Sequence, residues 1–260
     1  MKRVLMTILA AVLLVSVATA QSLEFKTFTD SVGVKQKNIP IWSSVDIEFP
    51  VNGPTTLVNA LKKNFAERLG VTVADTKDGK TFANKVVNKN VADLKKGLED
   101  NDMAPELYYN NVVQKVYETD KLVSIMYGGN VFYGGAHEDH LAVGVTYSKS
   151  DGKAFGTYDI LNEDAWEQIQ DKVAASLREY FQVDSNAELA DELMGDGIIC
   201  DGDNFYVPMP EAQPFVVNGN LVFVYGTYEI ASYAAGMPEV DIPLKAIMQH
   251  LKAEFKALVK

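Results

Sequence analysis

Residues 107–147, LYYNNVVQKVYETDKLVSIMYGGNVFYGGAHEDHLAVGVTY, decide the fold class. Leu107 to Tyr117, Leu122 to Tyr133 and His140 to Tyr147 are rich in Val, Tyr, Phe and Ile, which suit a pleated, half-buried surface, and turn residues separate the runs. This pattern predicts an antiparallel meander. Upstream, Leu23 to Val34 and Ile41 to Val51 alternate apolar and polar residues (Leu23, Phe25; Val45, Ile47, Phe49), the period of a strand with one buried face. Pro50, Gly53 and Pro54 break that alternation. Thr55 and Thr56 can cap a helix in which Leu57, Val58, Leu61, Phe65 and Leu69 recur at helical spacing, with Gly70 as its stop. After a polar turn at Asp78-Gly79, a lysine-rich helix is expected from about Ala83 to Leu98 on the spacing of Val87, Val91, Leu94 and Leu98.

Downstream of the meander, Ser150-Asp151-Gly152-Lys153 reads as a turn, and Asn162 or Asp164 as the cap of a helix carrying Trp166, Ile169, Val173, Leu177 and Phe181 on one face. The acidic stretch from Asp184 to Asp203 reads as a loop with one helical turn at Ala187 to Met194. Phe205 to Val207, Pro214 to Val217 and Leu221 to Tyr228 return to strand patterning, with Asn218-Gly219 as a two-residue hairpin turn. Pro243 opens a terminal helix with Leu244, Ile247, Met248, Leu251, Phe255 and Leu258 on its apolar side, which docks on the sheet. The expected class is α+β: antiparallel sheets with helices packed on one face. Two α+β halves, 21–118 and 119–260, are expected, with no flexible linker between them.

The start of the chain addresses it outward. Lys2 and Arg3 precede an apolar run from Val4 to Val17, and Ala18-Thr19-Ala20 places small residues at both recognition positions of a signal peptidase. Cleavage between Ala20 and Gln21 is expected, giving a periplasmic or secreted protein of a bacterial cell envelope with no integral membrane segment left. Cys200 is the only cysteine, so no intramolecular disulfide can form and stability must come from the core. Removing residues 1–20 takes two of the 24 basic residues and none of the 35 acidic ones, moving the net charge from −11 to −13. Such a surface repels nucleic acid and anionic lipid and attracts a basic partner.

Chemistry-bearing residues are few. His137-Glu138-Asp139-His140 holds two of the three histidines, and a pair at this spacing with carboxylates between them could hold zinc with an open position for water. Residues three apart in a strand-to-strand loop usually diverge, however, and spacing identifies no third ligand. The Gly134-Gly135 pair before His137 suggests a tight turn that the imidazole hydrogen-bonds in place, so the structural reading is preferred and no metal is expected. Asp201-Gly202-Asp203-Asn204 carries oxygen ligands but lacks the full calcium-loop pattern. No nucleophile elbow accompanies a Ser/His/Asp set, and Cys200 lies beside Ile198 and Ile199 in an acidic neighbourhood that raises a thiol pKa. Neither a cofactor nor catalysis is expected.

Three segments together carry a family resemblance: Tyr133-Gly134-Gly135-Ala136-His137 after a strand; Gly152-Lys153 with the helix start at Asp159-Ile160-Leu161; and Tyr228-Glu229-Ile230-Ala231-Ser232-Tyr233-Ala234-Ala235-Gly236, leading through Val240 to Ile242-Pro243. Over about residues 122–260 the chain resembles the RsiV-like family, a domain of unknown function at the extracellular end of RsiV-type anti-sigma factors. The resemblance implies an α+β fold, and a receptor role in which the best-understood members bind lysozyme while others accompany peptidoglycan-modifying enzymes. It implies no catalysis. No cytoplasmic domain or membrane helix like those of the anti-sigma members is expected from the sequence, so sigma-factor control is not carried over, and Ser232 stands where members often have proline.

Candidate ligand-binding residues are therefore Tyr133, Gly134, Gly135, His137, Tyr228 and Tyr233. If the two motifs meet, they form a tyrosine- and glycine-lined patch suited to an interface. If they do not, each tyrosine packs on the terminal helix. The functions in play are capture of a basic protein such as lysozyme, peptidoglycan binding as an accessory, and metal-assisted cell-wall hydrolysis centred on His137 and His140.

Overall fold

The computed structural model describes residues 22–98, 104–201 and 204–260; the expected signal segment lies outside these residues. The strands are β1 (Glu24–Gln36), β2 (Ile39–Asn52), β3 (Leu107–Glu118), β4 (Leu122–Phe132), β5 (Asp139–Ser148), β6 (Ala154–Phe155), β7 (Ile199–Asp201), β8 (Asn204–Tyr206), β9 (Phe215–Val217), β10 (Asn220–Val224) and β11 (Glu239–Pro243). The helices are α1 (Thr55–Leu69), α2 (Gly79–Gly97), α3 (Thr157–Ile160), α4 (Ala165–Gln168), α5 (Gln170–Phe181), α6 (Asn186–Glu192), α7 (Leu244–Ile247) and α8 (Ala253–Leu258). The predicted mixed class with antiparallel sheets is the one observed.

Strands β1 to β6 form one sheet in chain order. Its neighbours are antiparallel except β2 and β3, which run parallel because α1 and α2 carry the chain back across the sheet between them. The division near residue 118 falls inside this sheet, since β3 ends at Glu118 and pairs along its length with β4, so the two halves share it.

Alternation assigns the two faces. Odd-numbered residues of β2 to β5, among them Val45, Ile47, Phe49, Val113, Ile125, Tyr127, Val145 and Tyr147, pack with Leu57, Leu61 and Phe65 of α1 and Phe82, Val86 and Val87 of α2. Within this layer Asn90 of α2 donates to Ser43 Oγ (3.2 Å) and Asn111 Oδ1 (2.6 Å), a buried polar contact that holds the helix in register on the sheet. The caps differ from expectation. Pro54, not a threonine, precedes the first turn of α1 and no side chain caps it. The polar turn at Asp78 is itself the cap of α2, accepting from Thr81 N, so that helix starts four residues earlier than its apolar period suggests.

The opposite face is covered only in part, by a small sheet of order β11-β10-β9. Phe215 of β9 lies against Gly144 of β5 so closely that a Cβ on Gly144 would fall 2.0 Å from its ring. Val216 N donates to Thr146 Oγ1 (2.8 Å), which also bonds Ser124 Oγ (2.9 Å), joining the sheets through polar groups. Beyond the small sheet lies a second core of Trp166, Val173, Leu177, Phe223, Ile242, Ile247 and Phe255.

Two expected helices are broken. The helix from residue 165 to 181 is interrupted at Ile169, dividing α4 from α5. The terminal helix is interrupted between α7 and α8, because Leu251 turns extended to bridge Leu161, with Asn162 N donating to His250 O and Lys252 N to Ile160 O. Strand β11, expected only as a connection before Pro243, pairs with β10 along its full length.

Candidate functional site

The β4–β5 connection and the loop after β10 meet at the edge of the small sheet. Gly134 (φ 86°) and Gly135 (φ 133°) take backbone that side chains rarely adopt, and this turn brings His137 and Glu138 back over the uncovered sheet face. In the other loop, Ile230 and Ala231 are buried, Ala231 bridges Leu193, and Glu229 accepts from Gly226 N (2.6 Å) and Glu211 N (2.8 Å). This anchoring turns Tyr228 and Tyr233 outward, Tyr228 with left-handed backbone (φ 68°) and a side chain 56% exposed. A non-glycine residue held there stores on the order of 1–3 kcal/mol, a cost found at ligand sites more often than elsewhere.

Glu138 joins the loops. Its backbone oxygen accepts from Tyr233 OH (3.0 Å) and from His137 Nδ1 (3.2 Å). Because a carbonyl can only accept, His137 carries a proton on Nδ1, and in the neutral ring Nε2 accepts from Tyr228 OH (3.1 Å). Tyr233 has spent its proton on that carbonyl, so His140 Nε2 donates to it (3.0 Å). The His137 ring stacks on Tyr233 with centroids 3.8 Å apart. The Glu138 carboxylate accepts from Tyr108 OH (2.5 Å) and from Asn130 Nδ2. These bonds hold the carboxyl of Glu138 below the usual range, Tyr108 first, and the same bond pushes the Tyr108 hydroxyl up to about 12. Tyr233 is raised as well, by desolvation and then by Glu138.

Of the predicted site residues, Gly134, Gly135, His137, Tyr228 and Tyr233 come together. Tyr133 does not: its ring lies against Gly97 at the end of α2, on the other side of the sheet. Glu138, the hub, and Tyr108 were not among the candidates. The Nε2 atoms of the two histidines meet different tyrosine hydroxyls, and among the described residues no group of three or more His, Cys, Asp or Glu side chains is placed to hold a metal ion. At the acidic turn after β7, Gly202 and Asp203 lie outside the described residues. Cys200 donates to Asn186 O (2.9 Å) and burial raises its pKa.

The second loop, with Tyr228 and Tyr233, falls in a stretch that matches a family model. Residues 158–245 match the model described as a protein of unknown function, DUF3298. The fold is similar to a crystal structure of a DUF3298-family member from Bacteroides fragilis, with a TM-score of 0.73 at 17% identity, covering 93% of this chain and 98% of that one. It is also similar to a DUF3298-family protein from Pseudomonas aeruginosa, with a TM-score of 0.60 at 16% identity, covering 90% and 96%. No curated protein matches. At such identities the likeness is one of fold. The DUF3298 stretch runs from α3 through β11, so it supplies Tyr228 and Tyr233, whereas His137, Glu138 and His140 come from the large sheet outside it.

Chemically, the cluster offers hydroxyl, imidazole and aromatic groups at an exposed surface, locked by mutual hydrogen bonds. It includes no serine, threonine or cysteine nucleophile, and both imidazole Nε2 atoms are engaged by tyrosines.

Proposed function

We propose that the chain is an exported cell-envelope binding protein that recognises a basic protein, with lysozyme the partner implied by its resemblance to the RsiV-like family. The observation that carries the reading is the junction itself. Two loops more than ninety residues apart in sequence close on each other through His137, Glu138, Tyr228 and Tyr233, leaving tyrosine and histidine surface outward. Tyrosine supplies contact area with a polar tip at little entropic cost, the usual make-up of an interface anchor. The negative charge of the chain adds attraction for a basic partner, felt mainly in the rate of encounter.

The test is retention of the mature chain on immobilised lysozyme, with cytochrome c as a basic control. Retention at low salt, weakened at high salt where the Debye length falls to a few ångströms, is expected, as is its loss in Tyr228→Ala. Absence of retention at low salt, or equal retention by both basic proteins, removes the reading.

A further inference from the structure

The part of the large sheet that the small sheet leaves uncovered has a second character. Cross-strand register lines up Gly33, Trp42, Tyr108 and Phe132 in one row, and Ser31, Ser44, Asn110, Asn130 and His140 in a neighbouring one. In the first row Trp42 stacks on Tyr108 (centroids 4.9 Å, 23° between planes), and Tyr108 leans on Phe132 (5.6 Å). Since that stack uses the indole face toward β3, the other face is turned toward β1, where the residue opposite is a glycine. The nearest atom to a Cβ built on Gly33 is Trp42 Cβ, at 3.9 Å, so the space above Gly33 is open. In the second row Ser44 donates to Asn110 Oδ1 (2.7 Å), Asn110 to Asn130 Oδ1 (2.9 Å), and Asn130 to Glu138. Beside it lies a depression of about 530 Å³ lined by Thr29, Ser31, Ser44, Asp46, Asn110 and Val112 among others, within the range of small-molecule sites.

We propose that this open face binds a neutral glycan, seated in the depression on Ser31, Ser44 and Asn110 and running past its rim along the strands, so that one pyranose ring lies against the outer face of Trp42 above Gly33 and the amide of Asn130 extends the hydroxyl-binding row. The chemistry selects the class. Among the described residues the depression is lined by no cation and by two carboxylates, exposed Asp46 and half-buried Asp30, the latter already accepting from Ser31 N (2.8 Å) and Asn84 Nδ2 (3.1 Å), which disfavours an anionic ligand. Each amide of the row has given one N–H to its neighbour and keeps a second, so the surface offers donors as well as acceptors. An ammonium or guanidinium has donors alone and leaves those N–H groups unmatched, whereas a sugar hydroxyl does both. The apolar face of a pyranose then needs a flat aromatic partner, which Trp42 provides. This site adjoins the Tyr228–His137 junction through the bonds of Asn130 and Tyr108 to Glu138, but it uses other side chains and does not rest on the proposed capture of a basic protein.

Trp42 reports on the site directly, because the only other tryptophan, Trp166, is buried in the second core. Titration of the mature protein with chitotetraose and, separately, cellotetraose is expected to give a saturable change in Trp42 emission with at least one of them. Response to chitotetraose alone would assign the amide row to an acetamido group. Gly33→Val fills the open space at a residue outside the left-handed region, so the fold is retained as judged by an unchanged melt, and affinity is expected to fall at least about tenfold, the scale of losing one aromatic anchor. Tyr228→Ala is expected to leave glycan affinity unchanged. No saturable response to either sugar, undiminished affinity in a folded Gly33→Val, or loss of affinity in Tyr228→Ala overturns the proposal, as does loss of lysozyme retention in Gly33→Val, which would make this face a protein surface.

Discussion

The two faces of the six-stranded sheet share one backbone and have opposite contents. Toward α1 and α2, Phe49 and Tyr127 of the strands meet Phe65 and Phe82 of the helices in a chain of ring contacts, and Ser43 and Asn111 form a closed, buried polar set with Asn90 of α2. On the other side the same strands present Trp42, Tyr108, Ser44, Asn110 and Asn130 half-buried, ending at an exposed cluster of histidines and tyrosines. A covered face spends its side chains on cohesion. A face left partly open, yet bonded into rows, keeps its side chains oriented without burying them, which is the condition for meeting a ligand at low ordering cost.

The largest effect that separates the faces is expected from Phe82→Ala, which empties part of the helix-side core and costs about 3–5 kcal/mol in denaturant unfolding. A loss below about 1 kcal/mol would mean that the helix layer is not the main source of cohesion. A sharper comparison sets one asparagine against another. Asn111→Ala removes the acceptor of buried Asn90 and is expected to cost about 1–3 kcal/mol, while Asn130→Ala on the open face stays within about 0.5 kcal/mol. Equal costs would erase the distinction between the faces.

The smallest effect is a titration. Tyr108 is held protonated by Glu138, so its ionisation followed by ultraviolet absorbance is expected near pH 12 and, in Glu138→Gln, closer to 10. The sign follows from a raised folded-state pKa. The Tyr108–Glu138 bond contributes fully below the unfolded tyrosine value and its contribution is lost as pH rises from about 10 through about 12. Tyr108 ionising with the exposed tyrosines would show that the Glu138 bond does not persist in solution.

Much of this was legible from residues close together in the chain. Period-two alternation located β1 and β2, runs of Val, Tyr, Phe and Ile between turn residues located β3 to β5, helical spacing located α1 and α5, and Asn218-Gly219 marked the β9–β10 turn, whose residues take left-handed backbone (φ 50° and 81°). What local pattern could not supply was pairing between distant segments. The parallel β2–β3 contact and the extended Leu251 are set by partners far off in sequence, and they created the Trp42–Tyr108 stack and the break in the terminal helix. The site shows the same division. The meeting of the GGAH and YEIASYAAG segments was anticipated as one of two possibilities, but the hub role of Glu138 depends on Tyr108 and Asn130, which only register brings near it. Tyr133 was misplaced although a signal existed: it is two residues on from Val131, which packs in the core under α2, so alternation puts it on the helix side.

The most direct test of recognition at the loop junction is amide hydrogen exchange of the mature chain with and without lysozyme at low salt. Slowed exchange confined to residues 133–140 and 226–236, and removed by Tyr228→Ala, is expected. Protection over α1 and α2 instead, or none anywhere while lysozyme remains bound, would contradict it.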